Sequence, residues 1–273
     1  MATATLTRIG HLFERCRSEN RKAFIAYLTA GDPNPEATVP LVLALERGGA
    51  DLIELGVPFS DPIADGPVIQ RASERSLRAG TTLSRILEMV RTIRSESEVP
   101  LLLFSYLNPL LHYGFERLAK DAASAGIDGV LLTDLSVEEA DEPVKQLRAQ
   151  SLDTVFLGAP TSTDRRLELV GRHSSGFVYL VSRTGVTGEQ SSLSEKAIPL
   201  IERMRRHTDL PLALGFGISR PEHVAEVAEF ADGVVVGSAI VKTIEANIHS
   251  QDLPQAVESF TRQLTAPLRG GRR

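Results

Sequence analysis

The chain has 273 residues, 42% of them hydrophobic and 24% charged, and its formal net charge of −5 excludes a basic field for nucleic acid or anionic lipid. One cysteine, Cys16, rules out an internal disulfide and fits a reducing compartment. No apolar run approaches the roughly 20 residues that span a bilayer, and residues 1–10 lack a long apolar core, so a cytoplasmic protein without membrane or nucleic-acid partners is expected.

Residues 6–17 place Leu6, Ile9, Phe13 and Cys16 on one stripe, which predicts a leading helix. An apolar run at 24–28 predicts the first strand, and 36–47, with Val39, Leu43 and Leu45, the helix after it. The second strand at 52–55 opens into the stretch ELGVPFSDPIADGP (54–67), and 67–79 reads as an added helix. Residues 83–94 carry Leu83, Ile86, Leu87, Val90 and Ile93, close to an i, i+3, i+4, i+7 pattern. Further apolar runs at 101–104, 129–132, 154–157, 177–181, 211–214 and 233–236 alternate with helical stretches at 116–125, 138–150, 164–172, 195–207 and 221–230. Short helices at 239–246 and 252–264 close the chain, and the tail 267–273 is expected to be frayed.

Eight continuous apolar runs, without clean alternation, indicate strands covered on both faces, as in parallel sheets. A weak internal echo supports the repetition: GADLIEL, GIDGVLL and FADGVVV each end a helix and open a strand. The expectation is one (β/α)8 TIM barrel over 1–273, with an extra N-terminal helix and added helices after strands 2 and 8. A doubly wound open sheet has no need of eight units.

In such a barrel the loops leaving the C-terminal strand ends build the active site. Glu54 lies on the second strand, where an ionised carboxylate is costly unless paired or held protonated by a raised pKa. Such tuning suits acid/base catalysis, although loop amides holding Glu54 to shape a turn would also explain it. Asp61, before Pro62, reads as a turn residue; Asp65 reads equally as a cap of the added helix. Glycine-rich loops after the sixth, seventh and eighth strands (VSRTGVTGEQSSLS, LGFGIS, VVGSAIV) point together to a phosphate-bearing substrate, the last leading into a helix N-terminus. No lysine ends a strand in the mouth and the histidines lack metal-ligand spacing, which leaves carboxylates and a tyrosine, Tyr179, to carry the chemistry.

At this point the motifs AYLTAGDP (26–33), ELGVPFSDPIADGP, LNPLLHYG (107–114), GIDGVLLTDLSVEEA (126–140), LGAPTSTDRRL (157–167), YLVSRTGVTG (179–188), LGFGIS and DGVVVGSAIV resemble, in order and over nearly the whole chain, the tryptophan synthase α subunit family. The resemblance implies cofactor-free retro-aldol cleavage of indole-3-glycerol phosphate to indole and glyceraldehyde 3-phosphate. It implies that Glu54 is the catalytic acid/base, that Asp65 bonds the indole N–H, that Tyr179 stands beside the scissile bond, and that Thr187 belongs to a lid that fixes Asp65. By the same resemblance Gly188, Phe216, Gly217, Gly237 and Ser238 cradle the phosphate, and Tyr27, Leu103 and Leu131 line the indole pocket. It further implies docking on a pyridoxal-phosphate β subunit as α2β2 through Pro58, Asp61, Pro62 and Asn108. Two departures stand out: TDLS (133–136) replaces the more usual PDLP, and Tyr27 stands where phenylalanine is expected in some members.

Overall fold

A computed structural model describes residues 7–181, 193–215 and 217–269. Helix α1 (Arg8–Ser18) starts at Thr7, whose hydroxyl accepts from the Gly10 N–H. Strand β1 (Ala23–Thr29) leads through a 3-10 turn to α2 (Thr38–Gly48) and then to β2 (Leu52–Gly56). Two helices follow, α3 (Pro67–Arg78) and α4 (Leu83–Arg94), before β3 (Leu101–Ser105). Helices α5 (Leu107–Tyr113) and α6 (Phe115–Ala125) precede β4 (Gly129–Leu132), and α7 (Asp141–Arg148) precedes β5 (Asp153–Val155) and β6 (Leu157–Gly158). The remainder is α8 (Asp164–His173), β7 (Val178–Val181), α9 (Leu193–Arg205), β8 (Leu212–Gly215), α10 (Pro221–Val227), β9 (Gly233–Val236), α11 (Ser238–Ala246) and α12 (Leu253–Arg269).

All strand pairs are parallel and run in the order β5-β4-β3-β2-β1-β9-β8-β7-β6. The two ends of this sheet, β5 and β6, are halves of one strand bent at Phe156. The ring therefore closes through a single residue, and the Tyr179 N–H donates to the Phe156 carbonyl there at 3.2 Å. The fifth expected strand is thus present but broken, which turns eight runs into nine strand segments.

Side chains alternate between two buried faces. Ile25, Leu52, Leu102, Leu131, Val155, Phe177, Ala213 and Val235 point into the barrel, where Ile9, Leu12, Phe13 and Cys16 of α1 plug its base. The opposite parity packs beneath the helices in one large cluster. The repeated Asp of the internal echo has a structural reason at the base. Asp51, Asp128 and Asp232 each accept, through Oδ2, an N–H in the first two residues of the preceding strand (Phe24, Leu101 and Leu212). The tail differs from its expectation up to residue 269: α12 continues past 264 with Pro267 inside it, and Leu268 is buried against the outer core.

Candidate active site

The mouth is built where β1, β2 and β3 end. Parallel register sets Tyr27 beside Glu54 and Glu54 beside Leu102, all on the barrel's inner face. Glu54 is 1% exposed, and neither of its oxygens has a hydrogen-bond partner among the described residues. Removal from water disfavours the charged carboxylate and raises its pKa to about 8.

Asp65 sits in the loop between β2 and α3, half-buried. Burial raises its pKa to about 6, against the lowering effect of a hydrogen bond donated by the Tyr106 hydroxyl to Oδ2 at 3.2 Å. The loop is folded by its own backbone, with the Asp65 N–H donating to Pro62 O and the Gln70 side chain donating to Asp65 O. Asp65 does not cap α3: Gly66 holds that position without a side-chain bond. Two carboxyls a few residues apart in sequence therefore occupy unlike surroundings.

Three aromatic rings stand across the mouth. Tyr27 meets Phe104 edge-on at 5.2 Å, and Phe104 meets Tyr179 at 6.5 Å. Burial pushes both tyrosine phenols above their ordinary range, so each stays a proton donor at neutral pH. Glycine at 56 and 215 makes room for them: a Cβ at Gly56 would lie 2.2 Å from the Tyr27 hydroxyl, and one at Gly215 2.2 Å from that of Tyr179.

One strand away from β2, across β1, β9 passes through Gly237 straight into α11. Gly237 offers no side-chain cap, and the first helical bond runs from the Val241 N–H to its carbonyl. The N–H groups of the first turn, beginning at the exposed Ser238, are thus free to face an anion, which the helix dipole also favours. Gly217, exposed after β8, has φ +55°, a left-handed conformation that glycine adopts without strain.

Leu131 points into the barrel as expected, beside Phe104. Leu103 does not. It packs under the helices, because its strand neighbours Leu102 and Phe104 carry the inward parity; Phe104 is the pocket residue, and Leu103 is withdrawn. Tyr106 and Phe104 were missed by sequence reasoning; they alternate with Leu103 and Ser105 in a run whose register the sequence alone does not reveal. Of the residues expected at a partner interface, Pro58 is buried, Pro62 half-buried, and Asp61 and Asn108 exposed. They adjoin Ile63, 88% exposed, and Leu111, 56% exposed. Thr187, Gly188 and Phe216 lie outside the described residues. No group of three or more metal-ligating side chains is found among the described residues.

Fold and mouth together define a (β/α)8 barrel with two unlike carboxyls at its mouth and an anion-receptive helix end one strand away from β2. Comparison with known proteins gives this class a family. The family model for the tryptophan synthase alpha chain matches residues 13–267. The tryptophan synthase alpha chain of Solibacter usitatus is 67% identical over 259 residues, covering 95% of this chain and 97% of the relative. That of Geotalea uraniireducens is 49% identical over 261 residues, covering 96% and 97%. The crystal structure of tryptophan synthase subunit alpha from Legionella pneumophila superposes with a TM-score of 0.89 at 38% identity, covering 97% of this chain and 99% of that one. The chain belongs to the tryptophan synthase alpha chain family.

Proposed function

We propose that this barrel performs the alpha-chain reaction of tryptophan biosynthesis, the lyase cleavage of indole-3-glycerol phosphate into indole and glyceraldehyde 3-phosphate. The observation that carries the residue assignment is Glu54: a buried carboxyl with no hydrogen-bond partner among the described residues, whose pKa of about 8 keeps it protonated at neutral pH. Glu54 delivers its proton to C3 of the indole ring, leaving a positively charged ring nitrogen. Asp65, with a pKa of about 6, is ionised at that pH and accepts a hydrogen bond from the N–H. The newly formed Glu54 carboxylate then takes the proton of the adjacent side-chain hydroxyl. As the carbon–carbon bond breaks, its electron pair restores the neutral aromatic ring, and the hydroxyl-bearing carbon becomes the aldehyde. Protons and electrons balance within substrate and Glu54, so the step as written requires no cofactor.

The uncapped start of α11 at Gly237 and Ser238, with Gly217, supports placing the phosphate at the ends of β8 and β9. Tyr27, Phe104 and Tyr179 supply aromatic walls for the ring between them. In this reading Thr187, Gly188 and Phe216 complete the lid and the cradle. Alpha-chain membership implies a β-subunit partner. The exposed Ile63 and Leu111, beside Asp61 and Asn108, support docking at this end of the barrel, as an α2β2 assembly in the cytoplasm.

The test is indole release from indole-3-glycerol phosphate by the purified chain, alone and with a tryptophan synthase β subunit. Indole formation that rises on adding the partner is the expected result. Absence of indole in both conditions would overturn the assignment.

A further inference from the structure

Tyr106 is held more firmly than the loop it touches. It follows β3 and caps the start of α5, where the Leu107 N–H donates to Asp134 Oδ1 at 2.7 Å and the Ser105 hydroxyl donates to the Tyr106 carbonyl at 2.8 Å. Its ring lies against Phe59 with centroids 5.2 Å apart, and the residue is 4% exposed. From this fixed post the hydroxyl makes two bonds to one short loop. It accepts from the Ala64 N–H at 2.9 Å and donates to Asp65 Oδ2 at 3.2 Å.

These two bonds are ordered. A phenol has one proton, and the Ala64 N–H occupies its acceptor side, so the proton points at Asp65. The arrangement fixes both where the carboxyl sits and which of its forms is favoured, since a donor stabilises an ionised or accepting oxygen. We propose that Tyr106 is the positioning residue for Asp65, presenting that carboxyl as a pre-aligned acceptor for the ring N–H of the substrate. This rests on the function proposed above and adds a residue to it.

Among the described residues, few titratable groups surround Asp65. Tyr106 faces it from the β3–α5 junction, and Tyr27 from β1, beside Glu54 on β2; Asp134, after β4, acts on Tyr106 from behind. Both phenols stay protonated, so a change in the acid limb near Asp65 reports on the Tyr106 bond.

The experiment compares the full chain with Tyr106→Phe and with Phe59→Leu, which leaves the hydroxyl in place. Indole release is measured from pH 5 to 9, alongside binding of glycerol 3-phosphate and thermal unfolding. In Tyr106→Phe the acid limb of kcat should move up by roughly 1 pH unit, the size expected for losing a bond to a charged group, with glycerol phosphate affinity unchanged. Phe59→Leu should keep the wild-type limb. A Tyr106→Phe limb that stays in place, or one that moves equally in Phe59→Leu, overturns the proposal. Failure of the proposed function itself is distinct, because the unaltered chain would then release no indole.

Discussion

Replacing Glu54 with glutamine should abolish indole formation and at the same time make the protein more stable, by an amount that depends on pH. In the folded chain this carboxyl has a pKa of about 8 against an ordinary value of 4.5, with burial as the sole cause. Between those values the unfolded chain has lost the proton while the folded chain retains it. The native state binds the extra proton, so stability falls as pH rises through this window and levels off above it. At about 1.4 kcal/mol per pH unit, the window is worth on the order of 5 kcal/mol. Glutamine has the same shape and no titration. Its buried amide retains a cost of ~1–3 kcal/mol without a partner, but that cost is the same at every pH. The informative quantity is therefore the stability difference between variant and wild type at pH 8.5 minus the same difference at pH 5. Relaxation of the site reduces the ideal figure, and an excess on the order of 2 to 4 kcal/mol is expected from urea titrations at the two pH values. An excess below about 1 kcal/mol would mean that Glu54 is not held protonated by its surroundings. The acid role assigned to it at neutral pH would then lose its physical basis. Glycerol 3-phosphate affinity should be unaltered in the same variant.

Gly217→Asp should weaken glycerol 3-phosphate binding at least tenfold by calorimetry, since it adds a carboxylate near the anion and a side chain where φ is +55°; unaltered affinity would move the cradle elsewhere. Arg75→Met should strand the fully buried Asp32, which Arg75 clamps with bonds of 2.7 and 3.0 Å while also pairing with Glu245 at 2.7 Å. Breaking a buried pair costs ~3–5 kcal/mol. For a chain of this size that is a fall in Tm of roughly 6–15 °C, and an unchanged melt would refute it.

Much of the architecture was legible because parallel strands covered on both faces betray themselves as short apolar runs. The leading helix was legible from its stripe of Ile9, Phe13 and Cys16, all now found in the barrel plug. Helix α5 was not: no helix is expected between 104 and 116, yet Pro109 falls in the first turn of Leu107–Tyr113, where its missing N–H costs no helical bond. The bend at Phe156 has no local signal, because it follows from closing the ring. The mouth was legible in part. Glu54 and Asp65 announce themselves as carboxylates at a buried strand's end. Tyr106 and Phe104 do not, because their roles depend on the register Gly56↔Phe104, which pairs strands separated by two helices. The same missing register put Leu103 on the wrong face.

The contrast among buried acids separates structure from chemistry. Four carboxyl side chains are buried among the described residues: Asp32, Glu54, Asp128 and Asp153. Asp32 is clamped by Arg75, Asp128 is paired with Arg94 at 2.7 Å and Arg8 at 3.0 Å, and Asp153 accepts from Thr7 at 2.5 Å. Each of these three ties two elements together, and each has the partner that burial demands. Glu54 ties nothing to anything. It occupies a strand position that leucine or valine would fill at lower cost, and it carries a proton that no neighbour among the described residues accepts. Among the described residues the barrel satisfies three buried acids and leaves the fourth open, which is what the proton transfer proposed for Glu54 requires.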